Sequence, residues 1–301
     1  MKKTRIIASL SVVVIAIAAL IGCSLLKPTA IGLMRKMASN LDKVSSVKTN
    51  VVIDYDGAVS TALGDLELGL DTDLDLESVK STGVSHLDGT ISGSVFGLSL
   101  DMPVESYMQT EEGALTTYTS VDGQRWIKST SKPGENAEAQ DFKLDGKTIL
   151  AILSKIRDKE ITADLAEETE KIGEREVYRI DIKVKGDLIG ELVRASGSSG
   201  NQAAEALQNI DFSGADADIV LYIFKDDNLP ARVQIDCTAL GSVLIQEQLK
   251  EEGVDVRTER FVITADFVEY NTIDSLEIPE EVRSSAVEGD VDLFGEMLPG
   301  M

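Results

Sequence analysis

The chain of 301 residues has very few of the side chains from which most catalytic and metal sites are built. It has one histidine, His86, and two cysteines, Cys23 and Cys237. Two cysteines are too few for a disulfide framework, and a triad or metal site at His86 would need partners that the surrounding sequence lacks. We therefore expect a fold held by its hydrophobic core, without a cofactor, a metal or enzymatic activity.

Basic and aromatic residues are also scarce. The 29 lysines and arginines stand against 52 acidic residues, and the formal net charge of −23 would be repelled by phosphate backbones, so nucleic-acid binding is disfavoured. With aromatics at 5% and Trp126 as the single tryptophan, the chain lacks the several platforms typical of carbohydrate modules. Hydrophobic residues make up 43%, which is enough for a sizeable core and argues against disorder.

The first segment has the pattern of a secretory signal peptide. Basic residues at positions 2, 3 and 5 precede an uncharged apolar stretch from Ile6 to Ala19. We predict that residues 1–22 are the signal peptide. The alternative is an uncleaved membrane span over residues 6–26, because about 20 apolar or small residues can cross a bilayer. In both cases the domain lies outside the cytoplasm.

The signal ends in Leu20-Ile21-Gly22-Cys23, which resembles the lipobox of bacterial lipoproteins. In that family a diacylglyceryl group is attached to the cysteine thiol and the chain is cleaved just before it. The resemblance implies lipid attachment at Cys23, with residues 23–29 as a lipidated tether that reaches roughly 20 Å at about 3.5 Å per residue. We expect a protein anchored to the cell membrane by acyl chains on its extracytoplasmic side, because its acidic surface is repelled by anionic lipids.

Residues 30–288 are predicted to form one domain that is rich in strands. Apolar residues at helical spacing from Ile31 to Val44 predict an amphipathic helix. From Val47 the period changes to two, and the predicted strands of a meander are 47–57, 63–77, 83–101, 104–110, 114–120 and 124–129.

The second half repeats the alternation of helical and strand patterns. Helices are predicted over 146–157 and near 188–193, with a hairpin about Gly173 between them. Further strands are predicted at 218–226, 229–238 and 254–271, a helical or irregular piece at 240–253, and a flexible acidic tail at 289–301.

Both faces of the predicted strands at 219–224 and 261–263 are apolar, so these strands need cover on two sides. The arrangement that provides it is an α+β fold. We predict a curved antiparallel half-barrel sheet with helices packed on its concave face and a partial second layer outside.

This order of elements is similar to that of the LolA/LppX-like superfamily, and in particular to the LppX/LprAFG-type bacterial lipoproteins. The matching residues are the Tyr118 strand that leads through Asp122-Gly123 into Trp126, the hairpin at 226–230, and Ile278-Pro279 near the end. The resemblance covers residues 30–285. It implies a half-open barrel that holds an acyl chain or an entire lipid, and it brings no catalytic residues.

Other short motifs are incomplete. Gly146-Lys147-Thr148 lacks the first glycine of a phosphate loop, and Ser45 with Lys48 lacks the companions of a serine–lysine pair. Asp71, Asp73 and Asp75 begin like a calcium loop, but the required glycine and glutamate are absent, so these aspartates are predicted on the wet face of a strand, with the neighbouring leucines inward. Cys237 is expected to be a buried, inert thiol.

Two functions of different classes remain. The first is a membrane-anchored lipoprotein whose half-barrel cavity binds a lipid or acyl chain for transport or sensing. The second is a structural or interaction lipoprotein of the cell envelope, with the same fold, a filled core and a protein partner at its acidic face. An apolar cavity of several hundred Å³ would favour the first function.

Overall fold

The computed structural model describes residues 28–61, 64–95, 98–111, 114–120, 123, 125–131, 161–190, 210–249 and 255–289. The predicted signal peptide, Cys23, most of the tether, the helix at 146–157 and nearly all of the acidic tail lie outside these residues, as does Gly146-Lys147-Thr148.

Three helices have both ends within the described residues: α1 (Ala30–Leu41), α2 (Thr238–Leu249) and α3 (Glu280–Ser285). The strands are β1 (Ser46–Thr61), β2 (Gly64–Val79), β3 (Val84–Val95), β4 (Leu98–Glu111), β5 (Ala114–Ser120), β6 (Ile127–Ser131), β7 (Ile161–Leu165), β8 (Glu170–Ile172), β9 (Arg175–Val184), β10 (Ala217–Phe224), β11 (Pro230–Asp236), β12 (Asp255–Tyr270) and β13 (Val287–Glu288).

The described strands form one open, curved sheet in the order β13-β6-β5-β4-β3-β2-β1-β12-β11-β10-β9-β7, with β8 paired to β9. All pairs are antiparallel except β13 with β6. The terminal strands β13 and β7 do not pair with each other, so the sheet is not closed into a barrel. The predicted meander and its antiparallel pairing are confirmed.

One predicted strand is wrong in its extent. The sequence predicted a single strand over 83–101, whereas the structure has two, β3 and β4, and Pro103 lies inside β4. Proline is tolerated there because β5 pairs with β4 only from Glu105 onward, which leaves Pro103 with a strand on one side. Apolar and polar residues alternate in both β3 and β4, so no change in period marks the boundary between the two strands.

The main core lies on one face of the sheet, which we call the inner face. Helices α1 and α2 both pack there, through buried residues that include Met34 and Met37 of α1 and Leu240 and Leu244 of α2. Their sheet contacts are the inward side chains of β9, β10, β11 and β12, such as Ile219. Helix packing on one face is thus established, while the concavity of that face stays a prediction.

Helix α1 follows from the apolar spacing seen in the sequence. Thr29 caps it, with its hydroxyl accepting a hydrogen bond from the Gly32 amide at 3.2 Å. The buried side of the helix is centred on Leu33, Met34 and Met37. The side predicted from the sequence ran through Ile31, which is not among the buried residues of the helix. Among the described residues, no helix has the length and hydropathy that a bilayer span requires.

The opposite, outer face is covered locally by the end of the chain. Ile278 and Val282, which flank the start of α3, pack on Val84, Tyr107 and Tyr118. The last strand, β13, then adds to the sheet edge beside β6. This segment covers β3 to β5, whereas the partial second layer was predicted to cover the strands at 219–224 and 261–263, so that prediction is not met by this segment.

Strands β2 and β3 approach each other most closely at Gly89, which faces Leu74 across the pair. A Cβ atom at position 89 would clash with the backbone carbonyl oxygen of Asp73, an atom that cannot move aside without breaking the pairing. Glycine is therefore required at this position for the geometry of the sheet.

We expect Gly89→Ala to lower the free energy of unfolding by about 2 kcal/mol, as overpacking of a tight contact does. The matched control is Thr90→Ala, because Thr90 is the exposed next residue of the same strand and should change stability by less than about 0.5 kcal/mol. Urea denaturation followed by circular dichroism measures both values. Equal midpoints for the two variants would contradict the steric account.

Candidate hydrophobic-ligand site

The long strands β1 to β4 carry their apolar side chains on the inner face. Residues that pair directly across antiparallel strands point to the same side of a sheet. The register places Val51 beside Leu74, and Ile53, in the next inward row, in line with Ile91 and Met102. We call this surface the leucine face, and its residues are Val51, Ile53, Leu68, Leu70, Leu74, Leu76, Leu87, Ile91, Leu98, Leu100, Met102 and Val104.

The exposure of the leucine face increases steadily towards the end of the sheet where β3 turns into β4. Every second residue of β4 points inward, and the exposed fraction is 7% at Val104 and Met102, 46% at Leu100 and 76% at Leu98. The leucines of β2 are half-buried. The apolar surface is therefore open at this end of the hairpin, which we call the open end.

The leucine face continues the inner-face core beyond the helices. In the described part of the chain, the cluster completed by α1 and α2 takes in Val51, Ile53 and Tyr55 of β1, and no residue of β2, β3 or β4. One continuous apolar surface thus has two parts, a helix-packed part over β9 to β12 and β1, and a part on β2 to β4 that this cluster does not include.

The polar groups next to this surface are mostly satisfied. The buried Thr72 hydroxyl accepts a hydrogen bond from the Ile53 amide at 2.9 Å. Ser106 and Thr119 bond each other at 3.0 Å. A surface with few free donors and acceptors suits a hydrocarbon chain, whose binding depends on apolar area and not on direction.

The outer face of the same four strands is acidic. The inward leucines alternate with Asp71, Asp73 and Asp75, which are exposed, and Asp54 lies directly opposite Asp71. Partial burial raises the pKa of Asp71, and the neighbouring carboxylates Asp54 and Asp56 raise it further. The predicted wet face of this strand, with leucines on the other side, is confirmed.

Two of these aspartates share a hydrogen-bond donor. Asn50 donates hydrogen bonds to the carboxylates of Asp73 at 2.7 Å and Asp75 at 3.2 Å. No group of three or more possible metal ligands comes together anywhere in the described ranges.

His86 also lies on the outer face, paired with Tyr107 on β4. Its ring stacks on Tyr107 at 4.3 Å, and Nε2 is 3.1 Å from the Glu105 carboxylate. Burial raises the pKa of Tyr107 to about 12, and its hydrogen bond to Glu105 acts in the same direction. His86 therefore belongs to an aromatic and carboxylate cluster with neither a nucleophile nor a metal partner among its described contacts.

Trp126 packs on the outer face, away from the leucine face. Its ring lies 5.8 Å from that of Tyr107, in the small core covered by Ile278 and Val282. Beside this core, a depression of about 490 Å³ is bordered by Val84, Leu276 and Arg283. Two glutamates also line it, so it is less suited than the leucine face to an acyl chain.

The remaining predicted residues have structural roles where they are described. Ser45 is bonded to Asn271, through both its amide and its hydroxyl, and Lys48 pairs with Glu77 at 3.0 Å. Cys237 is fully buried in the main core, as the sequence predicted.

Sequence reasoning identified only part of the leucine face. The sequence placed Leu70, Leu74 and Leu76 inward, but Leu98 and Leu100 were missed because a single strand was predicted across the boundary between β3, which ends at Val95, and β4, which begins at Leu98. The signal that could have found them is the alternation Leu98, Leu100, Met102, Val104, which keeps the same period on both sides of Pro103.

Comparison with known proteins found similar folds only among solved structures, since no protein-family model and no curated protein matches the chain. Lipoprotein LppX of Mycobacterium tuberculosis is 13% identical, with a TM-score of 0.41 over 82% of this chain and 98% of that one. A LolA superfamily protein from Nitrosomonas europaea is 11% identical, with a TM-score of 0.22 over 85% and 97%. A DUF1329 family protein from Desulfovibrio piger is 10% identical, with a TM-score of 0.23 over 83% and 96%.

Both names in the resemblance inferred from the sequence, LppX and LolA, are thus represented among the similar structures. At TM-scores below 0.5 these likenesses indicate neither a ligand nor an activity for this chain. Its function has to be inferred from its own surfaces.

Burial raises the pKa of the Cys237 thiol to about 12, and the nearby Asp236 adds to the shift. The thiol is therefore protonated at neutral pH and shielded from reagents. We expect residues 24–301, in which Cys237 is the single cysteine, not to react with Ellman's reagent at pH 8 while folded and to react fully in guanidinium chloride. Rapid reaction of the folded protein would show that this part of the core opens.

Proposed function

We propose that this protein is an extracytoplasmic lipoprotein that binds a lipid or acyl chain on the leucine face, either to carry it or to sense it. The observation that supports this most is the exposure gradient on β4, from 7% at Met102 to 76% at Leu98. A surface that served only as core would be covered along its whole length.

The chemistry of the leucine face favours chains over head groups. Each methylene buried contributes about 0.8 kcal/mol, and the gain depends on apolar area alone. A row of leucines on a sheet therefore binds many hydrocarbon chains of similar length, and we propose broad specificity for the chain.

The anchor proposed for the protein is a diacylglyceryl group on Cys23, followed by residues 23–29 as a tether. Helix α1 begins at Ala30 and belongs to the inner-face core, so only the short tether separates that core from the proposed anchor. A tether of this length supports a domain that is held close to the membrane.

The first test is ligand binding by residues 24–301, which contain all the described elements. Native mass spectrometry of protein expressed in bacteria should show a co-purifying lipid. After delipidation, the neutral probe N-phenyl-1-naphthylamine should bind, and the double variant Leu70→Ser, Leu100→Ser should bind it about tenfold more weakly, because two apolar contacts of one row are lost.

The matched control is Asp71→Ser with Asp101→Ser, which alters the neighbouring row on the outer face of the same strands. This control should keep the affinity of the unaltered protein. A clean apo mass together with no uptake of the probe would contradict the proposal and favour the interaction lipoprotein with a filled core. Cross-linking at the cell surface would then identify its partner.

The second test concerns the anchor. Cells fed an alkyne-labelled fatty acid should label the protein, and Cys23→Ala should remove the label because the acylated thiol is gone. Cys237→Ala is the control with the other cysteine removed, and its label should be unchanged. Label that persists in Cys23→Ala would contradict attachment at this residue.

A further inference from the structure

Thr258 on β12 has a buried hydroxyl without a hydrogen bond. The residue is 8% exposed, and its Oγ1 atom has no partner of normal hydrogen-bond geometry. A buried polar atom in this state is unfavourable and rare in folded proteins. Valine has nearly the same shape and would fill the site without that disadvantage, so the hydroxyl group calls for a functional explanation.

The position of Thr258 connects it with the leucine face. It pairs with Gly57 of β1, which in turn pairs with Leu68 of β2. Since directly paired residues share a face, the Thr258 hydroxyl lies on the inner face in the same row as Leu68. Val256 and Phe261, the inward residues on either side of it along β12, are both buried.

Tyr55 brings a second hydroxyl to the same place. Its ring meets Phe261 edge-on at 5.7 Å, and its hydroxyl lies over Gly57, where a Cβ atom would clash with it. Glycine at position 57 therefore allows the phenol to lean across the row towards Thr258. The Thr258 hydroxyl is near enough to lower the pKa of Tyr55, although the two hydroxyls do not meet in hydrogen-bond geometry.

Both hydroxyls are neutral donors on the inner face. Burial raises the pKa of Tyr55, against a smaller opposite effect of the Thr258 hydroxyl, and Asp56 on the outer face raises it further. A neutral carbonyl oxygen can accept hydrogen bonds from both hydroxyls. An ionised carboxylate could accept them too, but it would have to give up its hydration in this buried position, which is much more costly for a charged group than for a neutral one.

We propose that Thr258 and Tyr55 bind the ester carbonyl of a neutral acyl lipid whose chain lies along the leucine face. This inference rests on the proposed function and narrows it, from any hydrocarbon chain to an esterified one. It assigns the lipid a fixed depth, because one polar atom of the ligand is held beside Gly57.

The test measures displacement of N-phenyl-1-naphthylamine from delipidated residues 24–301 by three competitors: methyl laurate, ionised laurate at pH 8 and dodecane. We expect the methyl ester to bind about tenfold more tightly than either of the others. Thr258→Val should lose this preference by weakening methyl laurate alone, and Tyr55→Phe should weaken it in part. Thr258→Ser, which keeps the hydroxyl group, should retain the preference.

The control variant is Thr264→Val, a threonine on the outer face of the same strand, which should leave every affinity unchanged. Thr258→Val should also raise the thermal midpoint of the ligand-free protein, because an unpaired buried hydroxyl is removed. A weaker affinity of this variant for methyl laurate would then not result from unfolding. If Thr258→Val binds methyl laurate as well as the unaltered protein does, the carbonyl site is wrong while hydrocarbon binding stands. If no competitor and no probe binds, the proposed function and this inference both fail.

Discussion

The register of the four long strands sorts their side chains onto an apolar face and an acidic face. Strands β1 to β4 pair without a shift relative to one another, so every second side chain is added to the same apolar surface. A slip of one residue in any pair would turn its leucines to the acidic side and its aspartates inward. Both faces therefore specify the same register, because the leucines would be unfavourable on the acidic side and the aspartates would be unfavourable on the apolar side.

The same register places like charges opposite each other on the outer face. Asp54 faces Asp71, and Asp75 faces Asp88. Such pairs are unfavourable, but exposure to water and salt screens them, and Arg260 offsets part of the repulsion by pairing with Asp54. The outer face of these strands is thus kept hydrated and unfavourable for acyl chains, in keeping with the proposal that a hydrophobic ligand binds on the inner face.

Local chemistry made much of the fold predictable. The helical spacing that predicted α1, the turn at Gly173 and the period-two pattern of β1 and β2 each depend on neighbours in sequence. Prediction failed between β3 and β4, because the strand predicted over 83–101 crosses the boundary between Val95 and Leu98 without a change in period. Proline is tolerated where β4 has no neighbouring strand on one side. The extent of that unpaired part depends on where β5 ends.

The candidate site was predictable only in outline. Alternation in β2 showed that Leu70, Leu74 and Leu76 share a side, but not which strands would extend that side into a surface. Nothing in the sequence distinguishes Thr258 from other threonines in strands, since its burial and its lack of a hydrogen bond exist only in the folded chain.

The sequence alone was enough to predict the class of fold, the acidic character of the protein and the lipid anchor at Cys23. These depend on composition and on spacing along the chain, which are local. Only the folded chain shows which apolar residues face helices and which lie on an open surface, that Thr258 lies near Tyr55, and that His86 and Trp126 belong to the outer face. Strand order and register bring together residues far apart in sequence, and only packing fixes them.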